Sequence, residues 1–190
     1  MLAWLIPVSV IGGIVLLLLL AIVIWWIATN NKFKRYAVKI DEAASGIDVA
    51  LTKRYDLLSK SVEVVKGYAK HEAETIMKTT GLRAPKAEEG MKEKSAIEGR
   101  LNRAFASIQA VAENYPNLKA DTVFAGLQNQ VSDVEEQLQS ARRIYNSNVS
   151  IFNQEIAVFP SSIVARHLHL TSRDFFEAED RKKEDVEIKF

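Results

Sequence analysis

The chain opens on a long apolar run that ends at the first charged residue. Between residues 8 and 28 the single polar side chain is Ser9, which gives about 21 residues against the roughly 20 that a helix needs to cross a hydrocarbon core. Trp4 lies before the run, and Trp25 and Trp26 lie near its end. Their separation corresponds to about 32 Å of helix, the spacing of two interfacial aromatic belts. The pattern predicts a membrane-spanning helix.

A retained anchor fits this run better than a cleaved export signal. Signal peptides carry a basic residue before a shorter apolar core and a small-residue cleavage site. Here no Lys or Arg precedes the run, and the tripeptide at 27–29 matches such a site poorly. The basic residues that follow are Lys32, Lys34, Arg35 and Lys39. Because positive charge favours the cytoplasmic side, residues 1–29 are predicted to anchor the chain once in a bacterial cell (inner) membrane, with the N-terminus outside.

Beyond the anchor, apolar residues recur in steps of three and four, which is the period of an amphipathic helix. The three stripes cover residues 40–76, 97–115 and 124–159. Ser95 and Glu98 have the spacing of a capping box for the second helix, and Asp121 or Thr122 can cap the third. A short fourth helix is expected from residue 161 to about residue 170.

No segment between residues 30 and 159 alternates like a strand. We therefore predict an all-α protein, in which the N-terminal transmembrane helix precedes an antiparallel, coiled-coil-like bundle of three to four helices over residues 30–170. Residues 171–190 carry charges of both signs and little periodicity. They are predicted to form a flexible cytoplasmic tail, with Phe175 and Phe176 as the last residues able to anchor it.

Three stretches closely resemble the LemA family. They are IDVALTKRYDLLSKSVEVVKGYAKHE (47–72), AVAENYPNLKA (110–120) and ARRIYNSNVSIFNQEIAVFPSSIVA (141–165), and the resemblance extends over about residues 33–176. It implies a mostly antiparallel cytoplasmic four-helix bundle on an N-terminal anchor. It also implies no established enzymatic activity, although a relative takes part in magnetosome membrane formation. Ser59 and Lys60 stand where the family usually has proline and asparagine, so a proline kink is not expected there.

The composition narrows the possible chemistry. The chain has no cysteine, which excludes disulfides, thiolate catalysis and cysteine-ligated zinc, and its net charge of +1 argues against nucleic-acid binding. His71 and Glu72 begin like a zinc-protease motif, but Thr75 stands at the second histidine's position. His167 and His169 would point about 200° apart on a helix. We predict no catalytic residue, no cofactor and no metal.

The strongest polar constellation joins the first and third predicted helices. Its members are Asp48, Lys53, Arg54, Tyr55, Asp56, Arg142, Arg143, Tyr145, Asn146 and Asn153. We interpret five of them as contacts that fix the register between helices, as polar core positions can. These five are Asp48, Arg54, Arg142, Asn146 and Asn153. The alternative is a pocket for a small ligand or a peptide.

Two functions follow from these patterns. The first is a non-enzymatic membrane-anchored scaffold that self-associates or recruits membrane proteins and could organise membrane. The second is a sensor or adaptor whose bundle binds a small molecule or peptide and signals to a membrane partner such as a protease. A cavity near Arg142 and Asn146 would favour the second, and a dry core with an apolar outer patch would favour the first.

Self-association has two candidate contacts. Ser9 and Gly13 have the small-xxx-small spacing that lets two membrane helices approach closely, although a single helix also tolerates small residues there. Ile40 and Ile47 belong to a part of the first stripe near the membrane, where only the far end of the third helix or a neighbouring chain would bury them, and we expect a neighbouring chain. The expected partners are therefore membrane lipid, further copies of the chain and a membrane protein.

Overall fold

A computed structural model describes residues 5–86 and 88–177, with side chains from residue 11 onward. Within these ranges it contains six helices and no strand. The helices are α1 (Leu5–Tyr68), α2 (Lys70–Thr80), α3 (Met91–Asn114), α4 (Pro116–Lys119), α5 (Thr122–Ala157) and α6 (Ser161–His167). The all-α prediction is confirmed, and the fourth predicted helix is present as α6. It ends three residues before the expected position.

The apolar run forms the first part of α1. A window of 18 residues in this helix has a mean hydropathy of 2.8, and none of it is buried. By length and composition, α1 could therefore cross a membrane. A buried stripe begins where the run ends, with Thr29, Phe33 and Ile40. The helix continues unbroken from the apolar run into this stripe.

The chain divides into two compact units. The first unit is Met1–Ile40 with Asn148–Arg173, and the second unit is Asp41–Ser147 with Asp174–Phe190. α1 and α5 each contribute residues to both units, so this division is a different one from the predicted boundaries at residues 29 and 170.

In the second unit, α1 and α3 run in the same direction. Near the start of α3, Lys94 Nζ lies 2.6 Å from Asp48 Oδ1. Further along both helices, Arg54 Nη2 of α1 donates to Asn102 Oδ1 of α3 at 2.8 Å. The Tyr115 hydroxyl just after α3 donates to Glu72 Oε1 at the start of α2 at 2.6 Å. The expectation of an antiparallel bundle did not include this parallel pair. It arises because α2 and the segment after it carry the chain back from the level of Glu72 to the level of Asp48.

The long helix predicted over residues 40–76 is in fact interrupted. Ala69 separates α1 from α2 with φ −146° and ψ 74°, which are not helical values. Gly67 precedes the break and lowers local helix stability by about 1 kcal/mol relative to Ala. The buried stripe continues through Ala73, whereas Glu72 is half-buried. The return of the chain therefore requires a break that the apolar period alone did not reveal.

Two predicted helix caps have different outcomes. Asp121 caps α5, because its Oδ1 accepts the main-chain N–H groups two and three residues further on, at 2.8 and 3.0 Å. These bonds, with one from the Tyr68 hydroxyl, lower the pKa of the Asp121 carboxyl. The capping box at Ser95 and Glu98 is wrong, since α3 begins earlier, after Gly90. Glu98 is instead buried.

The fold places α5 in the core of the second unit and generates one stability prediction. Leu138 is 0% exposed, whereas Ile144 on the same helix is 55% exposed. Leu138→Ala should destabilise the full chain in detergent by about 2–5 kcal/mol, through lost burial and a residual cavity. Ile144→Ala should stay within about 0.5 kcal/mol. Urea unfolding followed by circular dichroism would test this, and equal midpoints for the two variants would contradict the assigned phase of α5.

Candidate functional site

A buried guanidinium group lies where three helices of the second unit meet. Arg54 on α1 is 2% exposed. Its Nη2 donates to Asn102 Oδ1 of α3 at 2.8 Å, and its Nη1 lies 2.7 Å from Glu135 Oε2 of α5. Burial lowers the pKa of Arg54, while the charges of Glu135 and Glu98 oppose that shift. The group therefore links α1, α3 and α5 as a charged, desolvated contact.

Two further ion pairs extend this polar layer. Asp48 pairs with Lys94, and Arg142 Nη1 lies 2.6 Å from Glu98 Oε1. Asp48, Arg54 and Arg142 thus all form contacts between helices, as the register interpretation requires. Their partners differ from the prediction, because the constellation was assigned to the first and third predicted helices alone. Lys94, Glu98 and Asn102 on α3 supply most of the opposing groups.

The partner residues on α3 could have been identified from their spacing in the sequence. Lys94 and Glu98 each precede a stripe residue by three positions, Ile97 and Leu101 respectively. Side chains three apart share a helix face, so both charged residues belong to the buried face of α3. The other members of the constellation contribute less, since Lys53, Asp56 and Arg143 are exposed.

Asn146 holds the main chain of the segment that follows α6. Its Nδ2 donates to the Phe176 carbonyl at 3.0 Å, and its Oδ1 accepts the Phe176 N–H at 2.8 Å. One carboxamide thereby satisfies both backbone groups of Phe176, as a neighbouring strand would. The prediction that Asn146 fixes the register between helices is wrong, because these bonds go to an extended segment without helical structure.

Three further side chains of the second unit contact the same segment. Together with Asn146 they form a surface that we call the tail groove, which consists of Ser95, Arg142, Tyr145 and Asn146. The Tyr145 hydroxyl donates to the Asp174 carbonyl at 2.9 Å, and the Ser95 hydroxyl donates to the Glu177 carbonyl at 2.5 Å.

The tail groove also accommodates one aromatic side chain. Phe176 is 2% exposed, and the Arg142 guanidinium lies 5.0 Å from its ring centroid, within the range of a cation–π contact. Phe175 is 41% exposed. The groove therefore contacts the main chain at three residues and buries one side chain.

The first unit uses asparagine in the same way. Asn153 Nδ2 donates to the Arg173 carbonyl at 2.9 Å, and Asn153 Oδ1 accepts the Arg173 N–H at 2.8 Å. This corrects the predicted register function of Asn153. It also shows that the predicted tail is held at Arg173, whereas residues 178–190 lie outside the described part of the chain.

The residues predicted for self-association have mixed outcomes. Ile40 and Ile47 are 2% and 0% exposed within the single chain, which corrects the expectation that a neighbouring chain would bury them. Ser9 lies outside the described side chains. At Gly13 an added Cβ would meet no described atom within 4 Å. The Gly13 surface is therefore accessible to another helix.

Phe176 fills the position near Arg142 and Asn146 where a cavity would have favoured the sensor function. An open cleft of about 390 Å³ lies elsewhere in the second unit. It is lined by Gln109, Ala112, Glu113, Lys119, Phe124, Ala125, Gln128 and Asn129. In residues 5–86 and 88–177, no group of three His, Asp or Glu side chains is placed to hold a metal ion.

Comparison with known proteins agrees with the resemblance found in the sequence. The sequence model of the LemA family matches residues 43–190. The chain is also 26% identical over 163 residues to the protein named Protein LemA from Metamycoplasma hominis. That alignment covers 85% of this chain and 74% of the relative. The family match includes both Arg54 and Asn146.

The polar layer predicts a large effect from removing one charge. Arg54→Ala should destabilise the chain by about 3–5 kcal/mol, because it leaves a partly buried carboxylate at Glu135 without its cation. Arg54→Met combined with Glu135→Met should recover most of the loss, since an apolar pair needs no compensation. The exposed Lys53→Ala serves as the control. Urea unfolding measures all three, and a double variant as unstable as Arg54→Ala would contradict the pairing.

Proposed function

The chain belongs to the LemA family, and on that premise we propose that it is a non-enzymatic, membrane-anchored scaffold that self-associates and recruits membrane proteins. The continuity of α1 carries this proposal. Its apolar first part is exposed from Ile11 to Ile24, and the same helix then supplies buried side chains such as Phe33 and Ile40. Exposed apolar side chains over this length suit lipid, because they would be unfavourable in water.

Charge next to the apolar run supports a cytoplasmic position for the remainder of the chain. Lys34 and Arg35 are exposed, and Lys32 is bound to Glu155 with a contact of 2.5 Å. The side preceding the run has no Lys or Arg. The positive-inside rule then assigns these basic residues, and the bundle after them, to the cytoplasm.

Self-association is supported by the small-residue surface of the span. Gly13 leaves room for a second helix, and small residues allow the backbone contact that stabilises helix pairs in lipid. Confinement to a membrane raises the local concentration of identical chains. We therefore expect even a weak contact at Gly13 to favour an oligomer in the membrane.

Substitutions in the span test this contact without disturbing the single chain. Gly13→Ile should lower the subunit number measured by mass spectrometry of the full chain in native lipid, because it separates two helices that pack through Gly13. Val15→Phe adds similar bulk about 200° around the helix and should leave the subunit number unchanged. A single subunit for the unmodified chain at all concentrations would refute self-association.

A second candidate function is an adaptor that binds an extended peptide, and the tail groove favours it. Asn146, Tyr145 and Ser95 bind main-chain atoms, which every peptide has. The segment 174–177 then represents an intramolecular occupant of a peptide site. A competing peptide would need an extended backbone and one aromatic side chain at the position of Phe176.

Peptide binding to an opened groove tests the adaptor candidate. A labelled peptide with the sequence of residues 171–177 should bind the full-length Phe176→Ala chain saturably in fluorescence anisotropy. Replacing Phe176 by Ala in the peptide should weaken binding at least about tenfold, because burial of a phenylalanine contributes about 1.5–3 kcal/mol. Replacing the exposed Phe175 by Ala in the peptide is the matched control and should change binding little.

The receptor controls complete this experiment. Asn146→Ala, added to the Phe176→Ala chain, should abolish saturable binding because the peptide loses both main-chain bonds. If no peptide binds either receptor, the segment is a fixed part of the bundle and the adaptor candidate fails. The scaffold proposal is unaffected by that outcome.

A further inference from the structure

The turn between α5 and α6 exposes apolar side chains in the first unit. Phe159 is 80% exposed, the largest value among the exposed large apolar residues in the described part of the chain. Val158 and Ile163 on either side of it are 44% and 42% exposed. We call Val158, Phe159 and Ile163 the apolar corner. Adjacent exposed apolar residues of this size mark a contact surface.

Contacts between α1 and α5 define the level of this corner along α1. Asn148 Nδ2 donates to the Lys39 carbonyl at 3.2 Å, and Lys32 Nζ lies 2.5 Å from Glu155 Oε1. The seven residues from Asn148 to Glu155 on α5 therefore lie beside the seven residues from Lys39 back to Lys32 on α1, so the two helices run antiparallel here. α5 ends at Ala157, two residues after Glu155 and so opposite about residue 30. Phe159 lies in the turn that follows, within about one helical turn of the level of residue 28. Residue 28 is the end of the apolar run.

An aromatic contact supports the same level independently. The rings of Trp26 and His167 are 5.2 Å apart, centroid to centroid, and nearly perpendicular. His167 is the last residue of α6. The C-terminal end of α6 therefore lies beside the end of the apolar run, as does the turn that precedes α6. Tryptophans at the end of a membrane helix occupy the layer between hydrocarbon and head groups. The apolar corner lies at the level of that layer.

Exposed basic side chains are found on the same two elements, α1 and α6, that adjoin the apolar corner. Lys34, Arg35 and Arg166 are exposed, and α6 carries Arg166 and His167 in its last turn. Positive charge near the head groups is attracted to anionic lipids on the cytoplasmic side of a membrane. Apolar side chains beside exposed cations are the composition of a segment that lies in the interfacial plane.

We propose that the apolar corner is a second membrane contact, which inserts Phe159 and its neighbours into the interfacial layer of the bilayer that takes the span. The lipid is the occupant because the corner adjoins the end of the apolar run and carries positive charge on its polar side. The inference rests on the proposed anchoring of α1. With two contacts, the first unit would be held to the membrane by the α5–α6 turn as well as by the span.

The absence of cysteine from the chain allows a direct test by single-site labelling. Phe159→Cys, Leu18→Cys and Val123→Cys would each carry an environment-sensitive fluorophore on the full chain in vesicles that contain anionic lipid. Leu18 reports the span, and Val123, which is 62% exposed at the start of α5, is the matched apolar control. Lipids with a nitroxide at a shallow or a deep acyl position act as quenchers.

The label at residue 159 should emit at shorter wavelength and be quenched by the shallow nitroxide, while the label at residue 123 should show neither effect. A label at residue 18 should be quenched by the deep nitroxide. If residue 18 is quenched and residue 159 is not, the second contact is refuted and the anchor stands. If residue 18 is also unquenched, the anchoring itself is wrong. A blue-shifted but unquenched label at 159 would identify a protein partner and overturn the lipid assignment.

Variants of Phe159 separate insertion from general misfolding. With the label moved to Ile163→Cys, Phe159→Asp should remove at least about half of the shallow quenching, because a charged side chain is unfavourable in the interface. Phe159→Leu should retain it. Circular dichroism should be the same for both variants. Equal quenching of both would show that Phe159 does not insert.

Discussion

The bundle depends on the burial of one charge, the guanidinium of Arg54. A desolvated cation is unfavourable unless it is paired and hydrogen-bonded, so the helices that contribute Asn102 and Glu135 must bring these groups to one place. Apolar stripes alone permit sliding by a turn or a heptad, since one leucine replaces another with little loss. The Arg54 guanidinium has to reach both Asn102 and Glu135. This requirement prevents the helices from sliding along one another. The polar layer thus explains why three long stripes of ordinary apolar residues meet in a single alignment.

The helix that carries Arg54, α1, has two parts with different patterns of exposed and buried side chains. Its first part presents apolar side chains in all directions, whereas from Thr29 onward it presents a narrow buried stripe and a charged outer face. No loop separates the two parts. The transition between them therefore occurs within about two turns, from Trp25 and Trp26 to the first basic residue, Lys32. Aromatic residues followed by basic ones at the end of an apolar run are typical of a helix that leaves a membrane.

Helical periodicity predicted most of the fold, because burial of one face requires apolar residues in steps of three and four. It correctly indicated core positions on α5 such as Val131, Leu138 and Phe152, but not at the end of the predicted stripe, where Phe159 is exposed. It failed at Ala69, because the same stripe continues across a break when the chain turns back on its own bundle. It also failed at Ser95 and Glu98, where a spacing suited to a cap belongs to the interior of α3. Local patterns cannot distinguish these cases without knowledge of the neighbouring helices.

The candidate site was less predictable for a different physical reason. A carboxamide donates and accepts with equal ease, so the sequence around Asn146 gives no indication whether its partner is a helix, a ligand or main chain thirty residues away. Charged residues were more informative, since each requires an opposite charge nearby. Asp48, Arg54 and Arg142 accordingly form ion pairs between helices, whereas Asn146 and Asn153 bond to the main chain of the segment after α6.

The main-chain bonds of Asn146 have a consequence for sequence variation. Because α5 binds the N–H and carbonyl of Phe176, the path of the segment depends on these main-chain bonds and on one buried side chain, that of Phe176. Positions 174, 175 and 177 are then free to change as long as the backbone can remain extended. Mutational drift in related chains could alter the charge and surface chemistry of this segment many times over, while its attachment to the bundle persists.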